Sequence, residues 1–134
     1  MAYATQANIV EAYGERTLKN VAPLDPSGNV SAESVEYHLG IASAEIDAYL
    51  SARYTVPLAT PTPFIKKLAI NIAVYNMALS LGSQTDEMRR RYEDALKYLR
   101  DAASGVAGTG DDQTDEEETP PGSRAVRVSS LFRA

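Results

Sequence analysis

The chain predicts an all-α fold, a small bundle of four to five helices followed by an extended C-terminal arm. Three observations carry this. Apolar residues recur at helical spacing in three long segments between residues 31 and 104, each opened by a Ser or Thr able to cap it. Pro57, Pro61 and Pro63 set two of these apolar faces at an angle. After Gly105 the composition changes to Gly, Thr, Asp, Glu and Pro, with nothing to bury.

Thr5 is the expected cap of a short first helix that runs through Tyr13, with Ile9 and Val10 inward and Gly14 as its stop. One or two further turns carry Leu18 and Val21, and Pro23 to Asn29 form a loop. Ser31 caps the next helix, and Glu33 complements its dipole. Val35, Leu39, Ala42, Ile46, Tyr49, Leu50 and Arg53 fall on one face of it. Gly40 interrupts that helix, and close packing against a neighbour is its expected reason.

Pro57 biases Val56 towards extended backbone, so 54–58 is expected to be extended, with Pro61 continuing the connector. Thr62 then caps a helix whose first turn holds Pro63, where a missing N–H is no loss. Phe64, Ile65, Leu68, Ile72, Tyr75, Asn76 and Leu79 line it, and Ala69, Ala73 and Ala78 permit close approach. This is the most apolar helix and the expected centre of the bundle. Thr85 caps the last helix, with Asp86 and Glu87 at its positive end. Its buried stripe is Met88, Tyr92, Ala95, Leu96, Leu99 and Ala103, and Gly105 ends it. Arg90 with Asp94 and Glu93 with Lys97 have ion-pair spacing on the outer face.

Three regions follow: a helical domain over 1–105, an acidic spacer over 106–122 and a C-terminal docking arm over 123–134. The spacer packs six carboxylates into 111–118, and three arginines follow in the arm. The body keeps 12 acids and 10 bases, a near balance that offers no electrostatic footprint for general nucleic-acid binding. In the arm Val126 and Val128 flank Arg127, as in a strand, and Leu131 and Phe132 follow. A solvated terminus needs no such apolar cluster. The arm is therefore expected to be held by another chain, through strand addition with Val126 and Val128 in pockets. Arg124 and Arg127 would meet an acidic partner surface. The spacer reaches up to about 60 Å when extended.

The chemistry-bearing residues are sparse. With no Cys, thiolate metal sites, thiol nucleophiles and disulfides are excluded, and His38 is the only His. Its neighbours Glu36 and Glu45 complete no catalytic constellation, and Glu45 and Asp47 point to different sides of their helix. Asp47 is expected to pair with a base or cap a backbone group. The spacer acids lack the spacing of a calcium loop. Lys66-Lys67 and Arg89-Arg90-Arg91 lie among acids and read as solvated or interface faces. Neither an enzyme nor a metal or cofactor site is expected. No run of about 18 apolar residues and no signal peptide is seen, so the expected setting is a cytoplasm, with no membrane partner.

The ordered set of segments resembles a known family. A start at Tyr3-Ala-Thr-Gln6 leads to a short helix ending in Tyr13-Gly14. Then come SAEIDAYLSARY (43–54), VPL (56–58), the Pro63-Phe-Ile-Lys-Lys-Leu-Ala69 helix and RRRYEDALKYLRDAASG (89–105). Together they are similar to the phage Mu-like head–tail connector family, the neck or head-completion adaptors. The resemblance implies a homo-oligomeric ring, expected to be a dodecamer, in the neck of a virion made in a bacterial cytoplasm. It implies contacts with the portal protein above and the next neck or tail-completion protein below, with genome DNA only passing through. Arg124, Val126, Arg127, Val128, Leu131 and Phe132 become the portal-docking arm. In this frame Ile46, Leu50, Pro57, Leu58, Phe64, Leu68, Ile72 and Leu96 form the core of a rigid wedge, and Tyr49, Tyr54, Arg89 and Arg90 are candidate subunit contacts. Two alternatives stand beside it: a small helical DNA-binding regulator using 5–22 as a helix-turn-helix, and an accessory subunit of an enzyme.

Overall fold

A computed structural model describes residues 2–105, and the arm and spacer lie outside these described residues. Five helices follow in order: α1 (Gln6–Tyr13), α2 (Glu15–Val21), α3 (Ala32–Leu50), α4 (Pro63–Leu81) and α5 (Asp86–Ser104). The all-α expectation holds over the described residues, where the only β pairing is an isolated antiparallel bridge between Leu24 and Val30.

The caps form where the sequence places them. The Thr5 Oγ1 accepts from the Asn8 N–H at 3.2 Å, while the Thr5 N–H donates back to Asn8 Oδ1 at 2.9 Å. Ser31, Thr62 and Thr85 each accept from the backbone N–H three residues on. Gly82 and Gly105 end α4 and α5 in the left-handed conformation, at φ 72° and 89°. The Arg53 guanidinium lies against Gly105, so close that a Cβ there would come within 2.9 Å of its Cζ. A cation at that end of α5 complements the helix dipole. Arg53 is thus not on the apolar face of α3, because α3 ends at Leu50 and the chain turns over the next residues.

Helix α4 is the centre and touches all four others. Ile65 and an unbroken run from Leu68 to Val74 are buried, with Met77 and Ala78 beyond, so no side of the helix faces only water. By length and mean composition alone α4 is apolar enough to cross a membrane, although Lys66, Lys67, Asn71 and Asn76 keep it from being a continuous apolar run. Its cover of four helices accounts for that composition. Helix α5 is one-sided: Met88, Ala95, Leu99 and Ala102 are buried. Tyr92 and Leu96 sit one step round the helix and are half-buried rather than in the core.

Ile46, Leu50, Leu58, Leu68 and Ile72 lie in the buried cluster. Phe64 does not: it is 37% exposed, and its ring meets Tyr98 edge-on at 4.6 Å. With Ile65, Leu68 and Ala69 turned inward, the 100° step per residue carries position 64 to the rim. Pro57 is exposed as well, and residues 51–60 form turns and bends rather than an extended strand, with a cis bond between Val56 and Pro57. Leu79 is also exposed, at the end of α4.

What holds this connector is a polar latch. Tyr3 is 5% exposed, and its N–H donates to Ser43 Oγ at 2.8 Å. Its hydroxyl donates to the Asp47 carboxylate and accepts from the Leu58 N–H at 2.9 Å. Ser43 in turn donates to the Leu39 carbonyl at 2.9 Å. One tyrosine therefore joins the N-terminal segment, α3 and the turn that follows Pro57. Asp47 takes this hydroxyl rather than the base or backbone group expected of it. Burial, with the hydrogen bond to Asp47 next, pushes the Tyr3 hydroxyl up to about 12.

Gly40 was expected to allow close helix packing, but a Cβ there would meet nothing within 4 Å. Gly40→Ala is therefore expected to stabilise the fold by about 0.5–1 kcal/mol, through backbone entropy and helix propensity. An unchanged or lowered midpoint in urea denaturation would contradict this. Tyr3→Phe strips the buried Leu58 N–H of its acceptor and should cost about 1–3 kcal/mol. The raised folded-state pKa of Tyr3 fixes the sign of its pH dependence. Its contribution is full below the ordinary tyrosine value near 10 and is lost as pH rises through about 12. Thermal melts from pH 8 to 12 should show the wild-type advantage over Tyr3→Phe shrinking across the upper part of that range.

Candidate binding surfaces

Among the described residues no group of three or more His, Asp or Glu side chains comes together in a way that could hold a metal ion. His38 meets the Tyr37 ring edge-on at 5.5 Å, and burial pushes its pKa down. Glu45 is half-buried, and burial raises its carboxyl. In α2 the inward Leu18 and Val21 are packed into the core, and its seven residues make barely two turns. The features that remain are surfaces, and three of them stand out.

The first is a groove between α1, the start of α4 and the middle of α5, with a cavity volume of about 620 Å³. Among its lining residues is Asn71, whose Oδ1 accepts from the half-buried Tyr13 hydroxyl at 2.8 Å. Asn71 is only 6% exposed, so this bond gives its amide oxygen a partner inside the apolar helix. Arg91 stacks over the Tyr13 ring with its Cζ 4.9 Å from the centroid, and its Nε reaches Glu87 at 3.0 Å. Burial raises the Tyr13 hydroxyl, and Arg91 partly offsets that. Phe64 and Tyr98 form an aromatic lip, and Lys66 and Lys67 stand beside it. In the sequence these lysines read as a solvated or interface face. No local pattern links them to Arg91, since only the packing of α4 on α5 brings the two regions together.

The second surface is a tyrosine cluster. Tyr75 and Tyr92 stack with centroids 4.5 Å apart, joining α4 to α5. Burial raises the Tyr92 hydroxyl, and the nearby Glu45, Tyr49 and Tyr75 add to this. Tyr49 is half-buried against the core, and so is Tyr54 near the connector. Arg89 and Arg90 are exposed and engaged within their own helix, Arg89 with Asp86 at 3.2 Å and Arg90 with Glu87. The expected pairs Arg90–Asp94 and Glu93–Lys97 do not form. The acids of the first turn stand N-terminal to the arginines, which is the favoured order, and Lys97 reaches Asp101 at 3.2 Å. The third surface is the outer face of α3, where Tyr37 is 65% and Ile41 45% exposed. The arm residues Arg124, Val126, Arg127, Val128, Leu131 and Phe132 lie outside the described residues.

Comparison with known proteins accounts for this combination of an ordinary helical body and a distinctive tail. The family described as Bacteriophage Mu, Gp36 matches residues 3–128, the body, the spacer and the first part of the arm. The chain is 33% identical over 119 residues to the Mu-like prophage FluMu protein gp36 of Haemophilus influenzae, covering 87% of this chain and 83% of that protein. It is 27% identical over 131 residues to Gene product J of Escherichia phage Mu, covering 97% and 91% respectively. A match that spans nearly the whole body and runs into the arm is more than shared helical composition, and the chain belongs to the bacteriophage Mu Gp36 family.

Proposed function

We propose that this chain is a head–tail connector subunit. It assembles as a ring beneath the portal, extends the DNA channel and presents a surface to the next neck or tail-completion protein. The observation that carries the reading is the reach of the family match to residue 128, past the acidic spacer and into the Arg124–Val128 segment. The match therefore runs over the helical body, the acidic spacer and the first residues of the arm. The resemblance already noted in residues 1–105 supports the same reading, with the neck of the virion as its location.

The body suits such a role physically. Its connector is fixed by a buried hydrogen-bonded latch, so the angle between α3 and α4 is set within each subunit before any assembly. Half-buried Tyr49 and Tyr54 supply amphipathic contact area of the kind favoured at interfaces. A closed ring repeats one weak arm–portal contact many times, and the high effective concentration offsets the entropy of ordering each arm. The work is stoichiometric, through shape and attachment.

Removing 123–134 is expected to leave a helical protein with unchanged far-UV circular dichroism that no longer decorates portal. Negative-stain imaging of each form mixed with the cognate portal protein reads this directly. Full-length chain should add a ring of density to the portal, and the truncated chain should not. Equal decoration by both forms would exclude the arm as the attachment, and no ring with the full chain would exclude the connector reading.

A further inference from the structure

The groove between α1, α4 and α5 carries a charge pattern that the body itself does not use. Lys66, Lys67 and Arg91 line it together with Glu11 and Asp94, leaving an excess of one positive charge. Arg91 is committed to Glu87, whereas neither Lys66 nor Lys67 takes part in an ion pair among the described residues. Beside the two lysines the Phe64–Tyr98 pair offers an aromatic edge, and Phe64 is 37% exposed. Uncommitted cations next to an exposed Phe64 and a half-buried Tyr98 suit a segment that carries acids next to prolines, because prolines dock on aromatic rings with little entropy left to lose.

One segment of this chain has that order of residues: Asp115-Glu-Glu-Glu118-Thr-Pro120-Pro121. We propose that it docks in this groove of its own molecule, with the Glu116–Glu118 run beside Lys66 and Lys67 and Pro120–Pro121 against Phe64 and Tyr98. The reach is sufficient. Helix α5 ends at Ser104, so Tyr98 lies about 9 Å back along the helix from its end. The ten Cα steps from Gly105 to Asp115 span up to about 35 Å when extended. A tether this short gives an effective concentration in the millimolar range, enough for contacts too weak to hold between separate molecules. The acidic spacer then fixes the root of the arm against the body and sets the direction in which residues 123–134 leave it.

The chain contains no Cys, so Thr114→Cys introduces a unique site for a nitroxide spin label in the full-length protein. With the oxidised label on the isotope-labelled molecule, the amides of Lys66, Lys67 and Tyr98 should lose most of their intensity relative to the reduced label. Salt should restore them, since the Debye length falls to about 3 Å at about 1 M. The double substitution Lys66→Glu with Lys67→Glu, at two exposed positions, should also abolish the broadening at Tyr98 while the helical circular dichroism stays unchanged. A mixture of isotope-labelled, spin-free chain with unlabelled, spin-labelled chain should show none of it. Absence of broadening at these amides, broadening spread evenly over the surface, or broadening confined to the mixed sample would each overturn the proposal. The measurement uses free protein without portal, so its failure leaves the connector reading untouched.

Discussion

The structure is organised by the need to cover α4 on every side. An isolated helix of that composition would expose apolar surface all round, and burial of that surface is the dominant favourable term in folding. Helices α3 and α5 take two of its flanks, and the short α1 and α2 close the rest. This explains why α1 and α2 exist as separate helices on either side of Gly14, at φ 93°, where an L side chain would be strained. A single straight helix over 6–21 could not follow the surface it has to cover. It also explains why α5 can be strongly charged outside: Met88, Ala95, Leu99 and Ala102 are buried, with Tyr92, Leu96 and Tyr98 packed at the edge of the core, and the opposite face is left to water.

Apolar cover alone would leave the arrangement loose, because hydrophobic contact is not directional. Two buried polar contacts supply direction. Tyr13 with Asn71 ties the end of α1 to the middle of α4. Tyr3 with Ser43, Asp47 and Leu58 ties the N-terminal segment to α3 and to the chain beyond Pro57. Each places a polar group inside the protein and satisfies it, so any shift of these elements leaves a donor or acceptor unpaired at a cost of about 1–3 kcal/mol. The connector prolines limit the local backbone choices, and the tyrosine latch selects among them.

The surface that remains divides into parts of different chemistry. The tyrosine cluster around Glu45 and the exposed Tyr37–Ile41 face of α3 present amphipathic area with few committed charges. The groove presents cations beside aromatics. The intrahelical pairs of α5, all on exposed side chains, contribute little to stability and leave Arg89 and Arg90 able to exchange partners at modest cost.

The helices, their caps and the central place of α4 were legible in the sequence, because capping and amphipathic periodicity act within a few residues. Thr5, Ser31, Thr62 and Thr85 each bond to the third residue onward, and that distance along the chain is fixed whatever the fold. The ordered segments from Tyr3 to Gly105 also pointed to the family, without any one motif doing so. What only the tertiary structure decided lies between residues far apart in sequence. Tyr3 finds Leu58 across 55 positions, and Tyr13 finds Asn71 across 58. The groove that joins Lys66 and Lys67 to Arg91 exists only once α4 and α5 are packed. Phe64 was misread for the same reason. Helical spacing says which residues share a face, but which edge of that face meets a neighbour depends on crossing geometry that no local pattern encodes.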